Sequence, residues 1–399
     1  MALGLLMLSR SRGRRRGAHP AISALRTALL LLAVLPPAAR ADEATGDVTD
    51  VRVVRSVEQH PGAALLWEPD IALWKPKHLV VAFGAGIPGK TDMGDLYASV
   101  STNDGDSWSE PVAIFDHTQW HGAMQFCYAN PVLYKPPGQD VLWCFGMRCP
   151  INYEHSEDSR LVGAVSADGG RSWSPVELAM QYTGPLITVT GGITRVLDHG
   201  VPRYLMPVHR NTKRNDPLGS RDQLLLSSTS LLEWRLDAFI PQPVAGKVFL
   251  QEGAIAAGEH DGELQLVMRA ARYDNEGVAL DPPRAYSSAS TDGGHTWSAA
   301  QAESDLWNSV AKAYFGRATD GTHLYVYSDG PAWSRMALRY KTKPPGGIWG
   351  PERTFFDAGT HNSYPALIEV AAGEYRAVWD SGTKDRNRTH IRFGKFHLP

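Results

Sequence analysis

A turn-forming stretch, "VSADGGRSWSPV" at Val165–Val176, occurs three times in related form in this chain. The other copies are "STNDGDSWSEPV" at Ser101–Val112 and "ASTDGGHTWSAA" at Ala289–Ala300. Each copy places Ser or Thr, an acidic or amide residue, Gly and Trp at fixed offsets. The acidic or amide side chain can accept hydrogen bonds from turn amides, the Gly suits a positive φ, and the Trp can pack between layers. The repeat therefore predicts a structural turn and does not itself carry chemistry.

The spacing of the repeat predicts the architecture. Two degenerate copies, "SSTSLLEW" from Ser227 and "TKPPGGIW" from Thr342, extend the series. The copies start about 50–65 residues apart, which is enough for one four-stranded unit each. Short runs rich in Val, Leu, Tyr and Trp alternate with Gly, Asp and Pro, and helix signals are nearly absent. We therefore predict an all-β fold, a six-bladed β-propeller closed by pairing of strands from the two chain ends.

The N-terminal segment has the pattern of an export signal. A basic run, "SRSRGRRRG", precedes the apolar stretch Ala28–Leu35 and a cleavage box at Ala39–Ala41. This apolar stretch is too short to span a bilayer. We predict a cleaved signal peptide at residues 1–41 and a single domain at residues 42–399, in a secreted or periplasmic protein without a lasting membrane anchor.

Charge and cysteine content narrow the function classes. Residues 1–41 hold seven Arg and no acidic residue, so the remainder has 33 basic and 42 acidic side chains, a net charge of −9. This balance disfavours a nucleic-acid partner or an anionic membrane surface. In an exported protein, Cys127, Cys144 and Cys149 predict one local disulfide and one buried free thiol, with the pairing left open. No motif implies a cofactor or a metal site.

The repeated turn resembles the Asp-box, or BNR repeat, of the sialidase (neuraminidase) superfamily, and the resemblance covers nearly all of the mature chain. Sialidases use a Tyr nucleophile paired with Glu, an Asp acid/base and three Arg that hold the substrate carboxylate. The anomeric carbon of sialic acid bears this carboxylate, so a neutral phenol activated by Glu avoids the repulsion that an anionic nucleophile would meet. The resemblance implies a retaining exo-glycosidase that releases terminal, sialic-acid-like sugars from glycans.

The resemblance assigns the nucleophile, its base and two arginines to particular segments. "QEGAIAAGEHDGELQLVMRA" is similar to the family's Glu–strand–turn–strand–Arg segment, which implies Glu252 as the partner of the Tyr and Arg269 as a carboxylate-binding residue. "YSDGPAWSRMALRY" is similar to the segment of the last such Arg and implies Arg335, with Arg339 as the local alternative. "HNSYPALIEV" resembles the strand start that holds the nucleophile and implies Tyr364.

Two further family positions are less direct. "TDMGDLYASVST" lies where the acid/base is expected and implies Asp92, with Asp95 as the alternative. The position of the first carboxylate-binding Arg falls on Glu68, in "WEPDIALW". A Glu there would repel a carboxylate and leave two Arg to hold it. Either the alignment is shifted, or the substrate is not an ordinary sialoside.

Other polar residues occupy segments expected at the mouth of a propeller. Amides and charged groups beside aromatic rings are typical of sugar sites. For each of them alone, a packed or solvated loop residue is the alternative. The candidates for sugar binding are Trp120, His121, Gln125, Asn130, Arg148, His209, Arg210, Asp380 and Arg388.

The sequence thus predicts a monomeric, exported glycoside hydrolase of the sialidase type that takes a glycan or glycoconjugate as its substrate and needs no cofactor. The missing Arg keeps two alternatives open: a hydrolase of another terminal sugar, or a non-catalytic carbohydrate-binding propeller. A protein-binding scaffold is the third alternative. The set Glu252, Arg269, Arg335 and Tyr364 favours the enzyme, because a lectin needs no nucleophile with its base.

Overall fold

The computed structural model describes residues 44–399 except 91–92, 119, 122–123, 152–158, 185, 187, 189, 212–220, 244–247, 272–283, 310 and 331–333, and describes only the backbone at 120–121, 124–125 and 211. Asp42–Pro399 forms one compact unit. The predicted signal peptide lies outside the described residues. Within them, no helix is both long and apolar enough to cross a membrane.

The described chain is built from strands, which confirms the all-β prediction; a 3₁₀ turn at Val57–Gln59 is its helical element. The strands, in chain order, are β1 Thr49–Ser56, β2 Leu66–Lys75, β3 His78–Gly86, β4 Gly94–Ser101, β5 Val112–Phe115, β6 Trp120–His121, β7 Met124–Tyr134, β8 Leu142–Pro150, β9 Arg160–Ser166, β10 Ser174–Val176, β11 Ala179–Met180, β12 Thr194–Asp198, β13 Val201–Asn211, β14 Arg221–Ser228, β15 Glu233–Phe239, β16 Phe249–Ala257, β17 Leu264–Ala271, β18 Arg284–Ser290, β19 Gln301–Trp307, β20 Tyr314–Arg317, β21 His323–Ser328, β22 Leu338–Lys343, β23 Arg353–Phe356, β24 Asn362–Ala371, β25 Glu374–Ser381 and β26 His390–His397.

The sheets form a propeller-like arrangement, but they do not separate into six blades as predicted. Four sheets are blade-sized: β11–β15 with five strands, β16–β19, β20–β23, and the sheet in the order β1-β26-β25-β24. The fifth sheet has nine strands. It arises because Gly94 of β4 pairs with Tyr128 of β7, which joins the antiparallel runs β2–β5 and β7–β10. The structure therefore resolves four separate blades and one double-sized sheet.

The predicted pairing of the two chain ends is confirmed. β1, near the start of the described chain, pairs antiparallel with β26 at its end, with Thr49 opposite Lys395 and Ser56 opposite His390. β1 therefore completes the sheet of β24, β25 and β26. This pairing gives β26 a partner on both sides and leaves it with no open edge.

Apolar side chains fill the space between neighbouring sheets. In one cluster, Val81 and Phe83 of β3 pack with Val378 of β25 and Phe393 of β26. The first strands of the antiparallel runs meet one another, because β2 contacts both β7 and β24, and β20 contacts both β16 and β24. These first strands therefore face the centre of the molecule, and residues on them are placed to share one site.

The repeated turns have the predicted hydrogen bonds. In the copy at Val165–Val176, the Ser166 hydroxyl donates to Asp168 Oδ1 at 2.8 Å and accepts the Gly170 amide at 2.8 Å. Asp168 Oδ1 also accepts the Ser172 amide at 3.0 Å. Gly170 has φ +90°, and a Cβ there would lie 2.7 Å from a Val80 methyl group, so glycine is required on both counts.

The other two clear copies form the same turn with different residues. Asn103 Oδ1 accepts the Ser101 hydroxyl at 2.9 Å and the Ser107 amide at 3.0 Å. Asp292 Oδ1 accepts the Thr296 amide at 2.9 Å. An amide oxygen thus takes the place of a carboxylate oxygen in the first copy, as the sequence predicts.

No disulfide joins the three cysteines in the structure, so the one expected from the sequence is not formed in it. All three side chains are buried. Cys127 and Cys149 face each other across β7 and β8, with their Sγ atoms 3.7 Å apart, which is outside bonding distance. Cys144 lies opposite Leu133, away from that pair.

Candidate active site

Four central strands carry the same backbone irregularity. Glu68, Asn130, Glu252 and Tyr364 have φ values of 47°, 60°, 53° and 53°, in the left-handed region that such side chains seldom occupy. Each lies at a register shift between its strand (β2, β7, β16 or β24) and the next one along the chain. Since bulges re-aim side chains and cluster near functional sites, the four positions mark one end of the central strands as the place to look for function.

Tyr364 is the residue around which the charged candidates gather. Its side chain is buried, and the Cζ atoms of Arg335 and Arg388 lie 4.9 and 5.2 Å from its ring centroid. Burial raises the pKa of the Tyr364 phenol; Arg335 and Arg388 act to lower it, while the charges of Glu252 and Glu68 raise it further. The phenol is therefore neutral at ordinary pH and can react only if a base removes its proton.

Glu252 is the candidate base for removing the Tyr364 proton. Its Oε1 accepts a hydrogen bond from Arg269 Nη1 at 2.6 Å, in an ion pair that is almost wholly buried. Within the described part of the chain, the buried Glu252 Oε2 has no hydrogen-bond partner. Burial and the charges of Arg269 and Arg221 lower the pKa of His209 to about 3, so this histidine beside the pair is neutral. The pair therefore occupies one carboxylate oxygen of Glu252 and leaves the other without a partner among the described residues.

A fully buried carboxylate, Asp380, contacts several residues in and next to this group. Asp380 Oδ2 accepts the Glu68 backbone amide at 3.2 Å and lies 3.9 Å from Arg388 Nε. Asp380 Oδ1 accepts the hydroxyl of Ser363, the neighbour of Tyr364, and is 3.5 Å from His361 Nε2. Burial acts to raise the pKa of Asp380, but the His361 hydrogen bond and the Arg388 charge hold it below its usual range. The sequence placed Asp380 at the mouth; instead it is internal and fixes three neighbours.

The structure thus brings together Tyr364, Glu252, Arg269, Arg335, Arg388 and Glu68, although the sequence places them far apart. Three other candidates are not part of this group as described. Asn130 is buried, and its carbonyl accepts the Thr188 hydroxyl at 3.2 Å. Asp92 and the Gln125 side chain lie outside the described residues. Arg339, the alternative to Arg335, instead pairs with Asp329 at 3.0 Å.

Asp95, the alternative to Asp92, lies in an environment that suits an acid. It is buried, and His117 Nδ1 lies 2.8 Å from its carboxylate. Burial raises its pKa, although the hydrogen bonds from His117 oppose the rise. Asp95, Asp116 and His117 offer ligand atoms within 4.8 Å of one another, which could hold a cation. The Asp95–His117 hydrogen bond already accounts for this closeness, so the cluster needs no ion to explain it.

The described cavities do not coincide with the Tyr364 group. One of about 920 Å³ lies beside β9 and β10, lined by Phe115, Tyr128, Arg148, Met180 and Tyr182 among others. Of the predicted mouth residues Arg148 lines it, whereas the Tyr364 group does not. The chemistry of the charged group, and not the volume of that cavity, identifies the candidate site.

Comparison with known proteins finds one matching family and several similar solved structures. Residues 77–377 match the family described as the BNR repeat-like domain. No curated protein matches. Among solved structures, a Dyadobacter fermentans protein of unknown function is similar at 16% identity and TM-score 0.64, over 89% of this chain and 99% of that one.

Two further similar structures are sialidases. The Hadza microbial sialidase Hz136 aligns at 16% identity and TM-score 0.65, over 87% of this chain and 68% of that one. A leech intramolecular trans-sialidase, solved with 2,7-anhydro-Neu5Ac, aligns at 12% identity and TM-score 0.66, over 88% of this chain and 70% of that one. At these identities the likeness shows the fold alone.

Proposed function

Because the chain belongs to the BNR repeat-like domain family of the sialidase superfamily, we propose that it is an exported, monomeric glycoside hydrolase of the sialidase type, which releases terminal sialic-acid-like sugars from glycans with retention of configuration. In this proposal the nine-stranded sheet contributes two blades, β2–β5 and β7–β10, to a six-bladed ring. The central ends of the blades then present the substrate site.

One observation carries the catalytic part of the proposal. A buried, protonated phenol at Tyr364 lies within electrostatic reach of a Glu252 carboxylate whose Oε2 has no hydrogen-bond partner among the described residues. A structural tyrosine has no use for such a neighbour, because a buried carboxylate oxygen without a hydrogen-bond partner costs free energy. A nucleophile needs it, since the phenol proton must leave as the bond to the sugar forms.

The proposed reaction has two displacements. Tyr364 Oη attacks the anomeric carbon while its proton moves to Glu252, and Asp92 protonates the departing glycosidic oxygen. Water then attacks the same carbon, Asp92 takes the proton of that water, and Tyr364 recovers its own proton from Glu252. Each displacement inverts the anomeric centre, so the sugar is released with its original configuration.

The arginines are the proposed site for the acidic group of the sugar. Arg335 and Arg388 both contact the Tyr364 ring, so an anion beside the anomeric carbon would lie against their guanidiniums. Arg269 shares its charge with Glu252 and contributes less to the ligand. Asp92 is the proposed acid/base, and Asp95, whose pKa burial raises, is the alternative for that role.

Glu68 favours a second candidate function, a hydrolase of another terminal sugar. Its carboxylate is buried and acts on the same phenol as Arg335 and Arg388. A second carboxylate, in addition to that of Glu252, beside two guanidiniums weakens the attraction of this site for an anionic sugar. A sugar that presents hydroxyl or amine donors would be held better at Glu68.

Turnover tests the proposal directly. We expect the purified protein to release a fluorescent aglycone from an α-sialoside, and Tyr364→Phe to lower kcat by about 10³-fold or more. Asp92→Ala should lower it by about 10²–10⁴-fold, and Asp95→Ala distinguishes the two acids.

Tyr375→Phe is the matched control, because Tyr375 is buried and its hydroxyl has no hydrogen-bond partner among the described residues. Turnover that survives Tyr364→Phe would refute the proposed nucleophile. Binding without cleavage on a panel of terminal sugars would support the carbohydrate-binding alternative instead.

A further inference from the structure

Two of the three thiols directly face each other across a pair of neighbouring strands. Cys127 of β7 and Cys149 of β8 occupy opposite positions in the antiparallel register, and their Sγ atoms are 3.7 Å apart. Both side chains are fully buried. A hydrogen bond from Cys149 lowers the pKa of the Cys127 thiol against the opposing effect of burial. Cys144 has no such neighbour, and burial raises its pKa.

The backbone already has the separation that a disulfide requires. Directly opposed residues of an antiparallel pair have Cα atoms about 4.5–5.5 Å apart. Disulfides form between Cα atoms about 4.4–6.8 Å apart. Rotation of the two side chains can therefore bring the sulfurs into bonding distance without moving the strands, and Cys144 cannot substitute for either partner.

We propose that Cys127 and Cys149 form a cross-strand disulfide when the protein folds in the presence of a disulfide donor, and that Cys144 stays a free thiol. The Cys127 thiolate attacks a sulfur of the donor disulfide and displaces one donor thiolate. The Cys149 thiolate then attacks the Cys127 sulfur and displaces the second. The two protein thiols lose their protons to solvent, and the two electrons reduce the donor to two thiols.

The residues around Cys127 and Cys149 determine when the disulfide forms and which part of the fold it stabilises. Both sulfurs are buried, so a donor reaches them before folding is complete, and the finished core then shields the bond from reductants. Cys127 and Cys149 pack in one cluster with Met93, and Ile87 packs against it. The Ile87 amide donates to the Met93 carbonyl at 3.1 Å. The disulfide therefore stabilises the cluster that holds Ile87 and Met93, at the start of the strand that carries Asp95.

Thiol counting tests the proposal without reference to activity. The protein is folded with oxidised glutathione, unfolded in guanidinium without reductant, alkylated and digested. We expect one alkylated cysteine, Cys144, and a peptide pair joined through Cys127 and Cys149 that separates on reduction. Three alkylated cysteines, or a linkage through Cys144, would overturn the proposal.

Variants separate the proposed bond from an accidental one. Cys144→Ser should keep the linked peptides and show no alkylation, whereas Cys127→Ser should show two alkylated cysteines. Unfolding and refolding under reductant should lower Tm of the wild type by an amount on the order of 5 °C. This treatment should leave Tm of the Cys127→Ser/Cys149→Ser double variant unchanged. A double variant with the same response to reductant would also refute the assignment, and the Cys144→Ser mapping decides the case even if the double variant fails to fold.

Discussion

At the scale of single residues, the phenol of Tyr364 is balanced between two positive and two negative side chains. Arg335 and Arg388 lie at its ring, and Glu252 and Glu68 act on the same group. This balance decides both how easily the phenol loses its proton and how strongly an anionic sugar is attracted. Glu68 is the member whose charge opposes anion binding without serving as the proposed base.

Glu68→Gln removes that opposing charge and nearly preserves the shape of the side chain. We expect the variant to bind a free carboxylated sugar such as N-acetylneuraminate about tenfold more tightly, by calorimetry. Glu233→Gln, at an exposed position of β15, is the control and should not change the affinity. Equal or weaker binding by Glu68→Gln would show that Glu68 does not face the ligand.

The buried Arg269–Glu252 pair makes a separate prediction for stability. Arg269→Met leaves the Glu252 charge buried without its partner, so it should lower the free energy of unfolding by about 3–5 kcal/mol. Replacing both residues, Arg269→Met with Glu252→Gln, should cost less than the sum of the two single changes. Additive effects in a guanidinium unfolding cycle would mean that the two side chains do not interact.

The sequence predicted the members of this residue group better than their arrangement. Tyr364, Glu252 and the two arginines were found through their segments. The buried position of Asp380 was not predicted. Its partners are the Glu68 amide, Ser363 and His361, and no motif in the sequence connects Asp380 with them. Long-range contacts of this kind leave no local pattern in a sequence.

At the scale of elements, each repeated turn depends on one side-chain oxygen. The chain has a carboxylate at this position in one turn and an amide in another. Asp168 accepts its hydrogen bonds with a carboxylate, and Asn103 accepts the equivalent ones with an amide. Asp168→Ala should therefore destabilise the protein by about 1–2 kcal/mol, and Asp168→Asn by clearly less. Urea unfolding measures both, and an Asn variant as unstable as the Ala variant would contradict this account of the turn.

The same turns predict a pH dependence. Partial burial acts to raise the pKa of Asp168, but hydrogen bonds from Ser172 and Ser166 outweigh it and lower the pKa to about 2. A folded-state pKa below the unfolded value stabilises the fold above about pH 4, and the stabilisation is lost as the pH falls towards 2. The urea midpoint should decrease over that range. The decrease should be smaller in Asp168→Asn. An equal decrease of the urea midpoint with pH in the variant and the wild type would show that Asp168 is not responsible for it.

Strands and turns were predictable because their signals are local, whereas the bulges were not. Glu68, Asn130 and Tyr364 each precede a proline, and Glu252 precedes a glycine. A residue before proline normally has extended backbone with negative φ. The structure instead has positive φ at all four positions, since the packing of neighbouring central strands overrides the local preference. Four similar dipeptides within the central strands were the sequence signal.

At the scale of the whole molecule, the sequence correctly predicted that strands from the two chain ends pair. It did not predict how the strands divide into sheets. Terminal strands without a partner had to pair with each other, as β1 and β26 do. No local pattern indicated that Gly94 and Tyr128 would pair and join two runs of strands into one sheet. A single pair of residues is enough to merge two sheets.

Removal of β1 should open the ring. A chain that starts after Ser56 leaves β26 with an unpaired edge, which exposes backbone donors and acceptors to other molecules. We expect a lower Tm and a shift from monomer to larger species in size-exclusion chromatography. A chain that starts at residue 44 retains β1 and is the control; equal behaviour of the two chains would show that the closure is not important for stability.

Trapping of the covalent intermediate would show whether Tyr364 is a nucleophile with Glu252 as its base. A sialosyl fluoride with a second fluorine beside the anomeric carbon has a leaving group that needs no acid, and it forms an intermediate that hydrolyses slowly. We expect the protein to gain the mass of one sugar, on the peptide containing Tyr364, in the wild type and in Tyr375→Phe but not in Tyr364→Phe. Turnover of the fluoride with the sugar on another residue, or equal labelling of Tyr364→Phe, would contradict it.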